Sequence, residues 1–322
     1  MLAVYAVGID RDDPLSVLEV GEIEPPMTPD DWVTVQVRAA SLNHHDVWAL
    51  KGQALKADQV PMILGTDAAG VTEDGREVII HAVVGDPEAG GGDETLDPRR
   101  SLLSERYPGA IAELVRVPAR NLVDKPHWLT FEEAACLPTA YLTAYRMIHS
   151  RSGTEAGDTI LVQGAGGGVA TALIILGKAL GRTVWVTSRD ADKQNWAVEL
   201  GADAAFETGE RLPGKVDAVM ETVGAATWEH SLRSLRPGGR VVVSGATSGP
   251  NPPADLNRVF FLQLSIVGST MGTIQEFEEL LDVLGQTGVR PVIDSVLPIT
   301  QARDGIAALN EGTVRGKVVL TV

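Results

Sequence analysis

Apolar and polar positions follow two rhythms along the chain. From residue 1 to about 125, short runs alternate with period two: LAVYAVGI, DWVTVQVRAAS, GREVIIHAVV and AIAELVRVPA. Turn residues such as Pro25-Pro26 and Asp74-Gly75 separate them. This alternation predicts half-buried strands of antiparallel sheet. From about Thr130 the rhythm becomes helix, strand, helix, strand. TFEEAACLPTAYLTAYRMIHS predicts one amphipathic helix, with Thr130 as N-cap and Glu132-Glu133 in its first turn. The runs TILVQG, TVWVTSR, VDAVMETVG, GRVVVSGAT and LSIVGST are almost continuously apolar and alternate with helical stretches such as 189–200 and 226–235. They predict a parallel sheet covered on both faces. After Met271 come a helix TIQEFEELLDVLGQT, a run RPVIDSVLPI, a helix near 300–311 and a closing strand GKVVLTV. The polar, Gly-rich stretch within 81–109 has the length at which loops carry function or move.

The stretch ILVQGAGGGVATALIILGKALG runs uncharged from Ile160 to Gly177. Its compact GAGGG argues against a bilayer span and for strand, tight turn, helix. Such a turn aims backbone N–H groups and a helix N-terminus at a pyrophosphate. In the preferred register, Ala165-x-Gly167-x-x-Ala170, the residues Ala165, Gly166, Gly167, Gly168 and Val169 form the phosphate-binding floor. The end of the second strand chooses between the two nicotinamide cofactors. An acidic residue there marks NAD. Here Ser188 takes the diagnostic position, Arg189 follows and Lys193 lies one turn later. A hydroxyl and cations suit a 2′-phosphate and point to NADPH, although Asp190 and Asp192 oppose this and the cations also read as a solvated helix face.

Bulk composition narrows the partners. The 322 residues exceed what one core usually serves, so two domains are expected. Net charge is −16, from 27 basic and 43 acidic residues, which excludes nucleic acid and anionic membranes as natural partners. A lone cysteine, Cys136, excludes a disulfide framework and a cysteine metal cluster, and reads as a buried helical residue. The first residues, MLAVYAVGIDRDDPL, read as a strand, not a signal peptide, and the simplest location is cytoplasmic.

In order, the β-rich N-terminal segment, EEAACLPTAYLTAYRM, GAGGGVA, TSRDADK, ELGAD, DAVMETVG, LRPGGRVVVSGAT and GKVVL resemble the medium-chain dehydrogenase/reductase superfamily over nearly the whole chain. The chain is most similar to its quinone oxidoreductase and enoyl reductase branch, and to bacterial proteins often labelled zinc-type alcohol dehydrogenases. The resemblance implies an α/β fold: a doubly wound Rossmann domain (126–271) and a GroES-like catalytic domain from both chain ends (1–125 with 272–322). It also implies an active site between the two and a homodimer. Zinc-ligand positions of the family fall on Asn43, Thr66, Asp67 and roughly Thr139, of which only Asp67 could bind zinc. His44, His45 and Asp46 could make a metal fragment, with His81 or His127 as helpers, but adjacent residues diverge. No metal is therefore expected. The family's cofactor contacts fall on Thr222, Val223, Gly245, Ala246, Ser269, Thr270 and Met271, and on Lys317 as a basic residue reaching a cofactor phosphate.

A metal-free site must stabilise the negative charge on the acceptor oxygen with hydrogen-bond donors. The candidates are Asn43, His45, Thr139 and Tyr141. Conjugated carbonyls, either quinones or enones, suit such donors, with a final proton from water or His45. Many enoyl reductases of the branch carry a tyrosine near the NHHD segment, where this chain has His44, which lowers the enoyl-thioester reading. The expected activity is NADPH-dependent reduction of a small quinone or α,β-unsaturated carbonyl. The alternatives are a zinc alcohol dehydrogenase using His44, His45 and Asp67, and a non-catalytic NADPH-binding protein.

Overall fold

A computed structural model describes every residue of the chain except Pro26, so half of the expected Pro25-Pro26 turn lies outside the described residues. The chain forms two compact units. The first comprises Met1–Ala140, Thr273–Leu281 and Arg290–Val322, and the second Tyr141–Gly272 and Asp282–Val289. Residues 126–140 thus group with the β-rich unit, not with the nucleotide-binding segment where the resemblance puts them. The reason is local: the helix Phe131–Ala135 packs on the strands Val33–Ser41 and Asp67–Thr72. Its last carbonyl, Ala135 O, lies 2.9 Å from Ser41 Oγ.

In the first unit one sheet runs in the order Leu122–Asp124, Glu77–Ile80, Asp67–Thr72, Val33–Ser41, Lys317–Thr321, Ile293–Pro298. All its neighbours are antiparallel except the last pair. The strand Val33–Ser41 keeps the expected alternation: Val35 and Val37 are buried, Gln36 and Arg38 exposed. From Ala39 onward it is buried continuously, where the strands beside it close over its end. The turn at Asp74-Gly75 is present, closed by Gly75 N–H donating to Thr72 O.

Segment 81–109 is ordered by its own side chains. Val83–Val84 pairs antiparallel with Ser101–Leu102. Asp93 caps the turn Glu94–Leu96 by accepting from Thr95 N, and Asp97 accepts from the N–H groups of Asp86 and Arg99. Asn121 donates to His81 O and Val83 O. The acids of this polar, Gly-rich stretch satisfy its backbone.

The second unit holds a six-stranded, all-parallel sheet in the order Ala204–Glu207, Thr183–Ser188, Thr159–Gln163, Val216–Glu221, Leu235–Val243, Ser265–Gly268. Helices Gly168–Ala179, Ala191–Glu199, Trp228–Ser234 and Leu256–Phe261 alternate with the strands. The strand order reverses between Thr159–Gln163 and Val216–Glu221, the switch point at which open α/β sheets take ligands. One expectation fails in detail. The segment 130–150 is not one regular helix: it passes from Phe131–Ala135 through a π-turn at Leu137–Tyr141 to Leu142–Arg146 and a second π-turn. Pro138 has no N–H to continue the ladder, and the first π-turn opens around it. Among the described residues no helix is long and apolar enough to cross a membrane.

Candidate active site

The carboxyl edge of the parallel sheet is built by removing side chains. The turn after Thr159–Gln163 needs left-handed backbone at Gly164 (φ 83°) and Gly166 (φ 100°), which is costly for any residue with a Cβ. Gly167 caps the helix Gly168–Ala179 without a side-chain hydrogen bond, and a Cβ built there meets nothing within 4 Å. Ala165, Gly168 and Val169 flank it, each only partly buried. A helix N-terminus in front of open space is what a pyrophosphate requires. The residues present fit a dinucleotide.

The neighbouring loops converge on this turn. A Cβ on Gly164 would lie 3.2 Å from Val223 Cγ2, and one on Gly166 would lie 3.1 to 3.3 Å from the end of the Lys193 side chain. Thr222-Val223 and the turn 244–249 are tied together by Ser248 N–H donating to Val223 O at 2.7 Å. Gly245 sits so close that a Cβ would lie 2.9 Å from Thr222 O, with Ala246 next to it. Ser188 ends its strand 5 % exposed, and Arg189 is exposed. Asp190, which opposed a 2′-phosphate in the sequence, spends its carboxylate as the N-cap of Ala191–Glu199, accepting from the N–H groups of Asp192 and Lys193. Beyond Ser265–Gly268, Ser269 is buried with an unpartnered hydroxyl, Thr270 is exposed, and Met271 adopts φ 51°. A methionine in that region is strained, as ligand-contacting turns often are.

Sequence reasoning missed the polar layer beneath this edge. Glu221 is fully buried; its Oε1 accepts from Val223 N, Gly224 N and Thr227 Oγ1, and its Oε2 from Ser231 Oγ. Gln163 Nε2 donates to Ser231 Oγ and to His230 Nδ1, and Gln163 Oε1 accepts from Thr187 Oγ1. Burial holds the His230 imidazole below its ordinary pKa, so it stays neutral and donates from Nε2 to Glu210 O. The layer fixes the loops that carry Val223 and Gly164. An acid ending the apolar run VDAVME was the available signal.

In the first unit, sheet register builds a second cluster. Pairing of Val319 with Ser41 and Leu320 with Ala40 carries Lys317 opposite Asn43, and pairing of Ser41 with Asp67 brings the carboxylate alongside. Lys317 is 2 % exposed. Its Nζ donates to Leu42 O at 2.8 Å, Asn43 Oδ1 at 2.6 Å and Asp67 Oδ2 at 3.1 Å. Asn43 Nδ2 donates to Thr66 Oγ1 at 3.2 Å, and Thr66 Oγ1 lies 2.9 Å from Thr139 Oγ1. Thr139, in the π-turn, is the half-buried member. This corrects one expectation: Lys317 is no phosphate contact, because its three protons are spent inside the unit. Tyr141 is corrected too. It is fully buried as a core residue, so its hydroxyl does not face an open site.

His45 stands apart from this cluster, with Nε2 3.1 Å from Glu105 Oε1. Burial opposes ionisation of Glu105, but the His45 contact and Leu102 N–H outweigh it and hold the carboxyl below the usual range. Glu105 was not singled out in the sequence. His44 is kept neutral, its pKa lowered by burial and by Lys317 and Lys51. Asp46 accepts from Asn43 N at 2.8 Å, and burial pushes its pKa up to about 6. Cys136 is fully buried and its thiol is pushed up to about 12 by burial, which makes it unreactive.

Comparison with known proteins identifies the architecture. Residues 29–127 match the Alcohol dehydrogenase GroES-like domain and residues 168–286 match the Zinc-binding dehydrogenase family. The chain is 30 % identical to 2-methylene-furan-3-one reductase of Solanum lycopersicum, over 92 % of this chain and 73 % of that protein. The chain belongs to the medium-chain dehydrogenase/reductase superfamily. As in that superfamily, the first unit is its GroES-like fold and the second its Rossmann fold. An NAD-dependent alcohol dehydrogenase structure superposes with TM-score 0.90 at 34 % identity, each chain fully covered. A 2-octenoyl-CoA carboxylase reductase, solved with NADP and 2-octenoyl-CoA, superposes with TM-score 0.90 at 26 % identity, covering 99 % of this chain and 87 % of that one.

Zinc gives its name to the matched family, and the residues at the positions where the resemblance puts its ligands do not fit it. Asn43, Thr66 and Thr139 present an amide and two hydroxyls that bond one another. Asp67 Oδ1 is a buried atom without a protein partner, one oxygen where zinc needs three or four ligands, and the Lys317 ammonium beside it repels a cation. Among the described residues no group of three or more His, Cys, Asp or Glu side chains could hold a metal ion.

Proposed function

We propose that this oxidoreductase is an NADPH-dependent reductase that delivers hydride to a quinone or an α,β-unsaturated carbonyl without a metal. The observation that carries this is the linked set of neutral donors, Asn43, Thr66 and Thr139, at the family's zinc positions. The bound nicotinamide supplies the hydride. Ala165, Gly166, Gly167, Gly168 and Val169 would hold its pyrophosphate, and Ser188, Arg189 and Lys193 its 2′-phosphate. Thr222, Val223, Gly245, Ala246, Ser269, Thr270 and Met271 would line the remainder. The relative solved with NADP supports this choice, whereas the NAD-dependent relative opposes it.

Hydride adds at the β carbon of an enone, the alkene pair shifts, and the carbonyl pair moves onto oxygen. Thr139 donates a hydrogen bond to that oxygen. The α carbon then takes a proton from water or from His45. Because the charge spreads over a conjugated system, neutral donors suffice, whereas a plain ketone asks for a Lewis acid. A homodimer belongs to the same reading. Its support is the exposed edge strand Ser265–Gly268, next to exposed Leu256, Phe260 and Phe261; light scattering of the purified chain tests it.

The function is tested by following NADPH and NADH consumption over a panel of quinones, enones and saturated aldehydes. NADPH is expected to be preferred and a conjugated carbonyl turned over. NADH outcompeting NADPH at equal concentration removes the cofactor assignment, and turnover of saturated aldehydes alone removes the substrate assignment.

A further inference from the structure

The donor cluster in the first unit has a direction. An ammonium only donates, and Lys317 Nζ has three protons for its three acceptors, Leu42 O, Asn43 Oδ1 and Asp67 Oδ2. This turns the Asn43 oxygen toward Lys317 and its nitrogen away, onto Thr66 Oγ1. Thr66 Oγ1 lies 2.9 Å from Thr139 Oγ1, and either hydroxyl can be the donor; with the fully buried Thr66, which already accepts from Asn43, as donor, its own proton goes to Thr139. With Thr66 as donor, the Thr139 proton is left for an acceptor outside the cluster, and Thr139 is the member that is only half-buried.

We infer that Lys317 heads a one-way hydrogen-bond relay, Lys317 to Asn43 to Thr66 to Thr139, which polarises the Thr139 hydroxyl toward the oxygen of a conjugated carbonyl. The inference rests on the reductase reading above and assigns Lys317 a part in it. Bonds in series, all donating the same way, strengthen one another. A buried cation behind them stabilises the oxyanion that forms as hydride adds at the β carbon, and it needs no reorganisation during the step. Asp67 holds the ammonium in place and balances its charge in the ground state. Lys317 is thus a positioning residue, and Thr139 is the group that touches substrate. The sheet register that sets Lys317 opposite Asn43 makes the relay part of the fold, not of a mobile loop.

The test reads the bond being polarised. Trans-cinnamaldehyde carrying carbon-13 in its carbonyl is bound with NADP+, and its stretching frequency is measured by difference infrared spectroscopy, beside kcat and the KM for NADPH. Removing the ammonium alone would strand a buried carboxylate, so Lys317→Met is combined with Asp67→Asn. Thr66→Val cuts the relay midway without touching charge and serves if the double variant does not fold. Wild type is expected to lower the frequency below its value in buffer. Thr139→Val should abolish the shift and Thr139→Ser retain it. The double variant and Thr66→Val should lose part of it, with kcat down about tenfold and the KM for NADPH unchanged. A wild-type frequency and kcat in both would overturn the relay. So would a raised KM for NADPH with kcat intact, which would return Lys317 to the cofactor. If wild type neither binds cinnamaldehyde nor reduces any conjugated carbonyl, the reductase reading fails and takes the relay with it. Turnover with indifferent variants defeats the relay alone.

Discussion

The two chemistry-bearing regions of this molecule are made in opposite ways. At the carboxyl edge of the parallel sheet the side chains have been taken away: Gly167 faces open space, while Thr187 bonds to Gln163, and Gln163 and Glu221 are linked through Ser231. Around Asn43 the reverse holds, and side chains from distant segments fill the position with a cation and its partners. The first arrangement makes room for a large ligand that brings its own charge. The second supplies charge to a ligand that brings little. In the proposed metal-free reading, the charge at this position comes from the buried Lys317–Asp67 ion pair.

That contrast can be broken from either side, and the largest effect should come from the floor of the open region. Glu221→Ala strands two backbone N–H groups and two hydroxyls in a buried place. It should lower stability by about 4 kcal/mol in denaturant melts and weaken NADPH binding as well. In the filled region the sensitive group is Asp46. Its pKa in the folded protein, about 6, lies above the ordinary carboxyl value. The folded state therefore binds the proton more tightly, and the stability this contributes is present at pH 4 and lost as pH rises through 6. Relative to Asp46→Asn, the wild-type protein should lose about 3 kcal/mol in all from well below pH 4 to well above pH 6. A flat difference in melting temperature across that range would contradict the burial argument.

Filling the empty region is the next largest perturbation. A Cβ at Gly167 meets no protein atom within 4 Å, so the fold of Gly167→Val should survive, yet NADPH affinity should fall about a hundredfold because the side chain enters the space left for phosphate. Unchanged affinity would place the dinucleotide elsewhere. The mildest change is Arg189→Ala. It should raise the KM for NADPH about tenfold and leave that for NADH alone, since a single exposed cation on a phosphate is worth little more. Equal effects on both cofactors would remove the 2′-phosphate assignment.

The same contrast explains what was legible in the chain. The alternating and continuous apolar runs announced both sheets, and the glycine turn stood out because its requirement is local: strand, bend, helix, in adjacent residues. Ser188 was assigned to the end of the second strand by spacing back from ELGA, with Lys193 one turn later. The second cluster draws Asn43, Thr66, Asp67, Thr139 and Lys317 from four separate parts of the chain, and only the register of paired strands brings them together. Lys317 was assigned to a phosphate because a basic residue near a closing strand carries no mark of its partner. Tyr141 read as a donor because a phenol looks the same in sequence whether its hydroxyl faces a site or the core. Glu221 went unnoticed because its partners, two backbone N–H groups and the hydroxyls of Thr227 and Ser231, leave no distinctive pattern in residue type, although an acid closing an apolar run was a signal.

The central claim is that the reacting oxygen is held by hydrogen bonds headed by an ammonium and not by a metal ion. Its most direct test is to exhaustively chelate the purified protein, assay its metal content, and measure NADPH-driven reduction of a conjugated carbonyl before and after. Undiminished turnover at far less than one metal per chain is the predicted result. One zinc per chain, whose removal abolishes turnover and whose return restores it, would contradict the account.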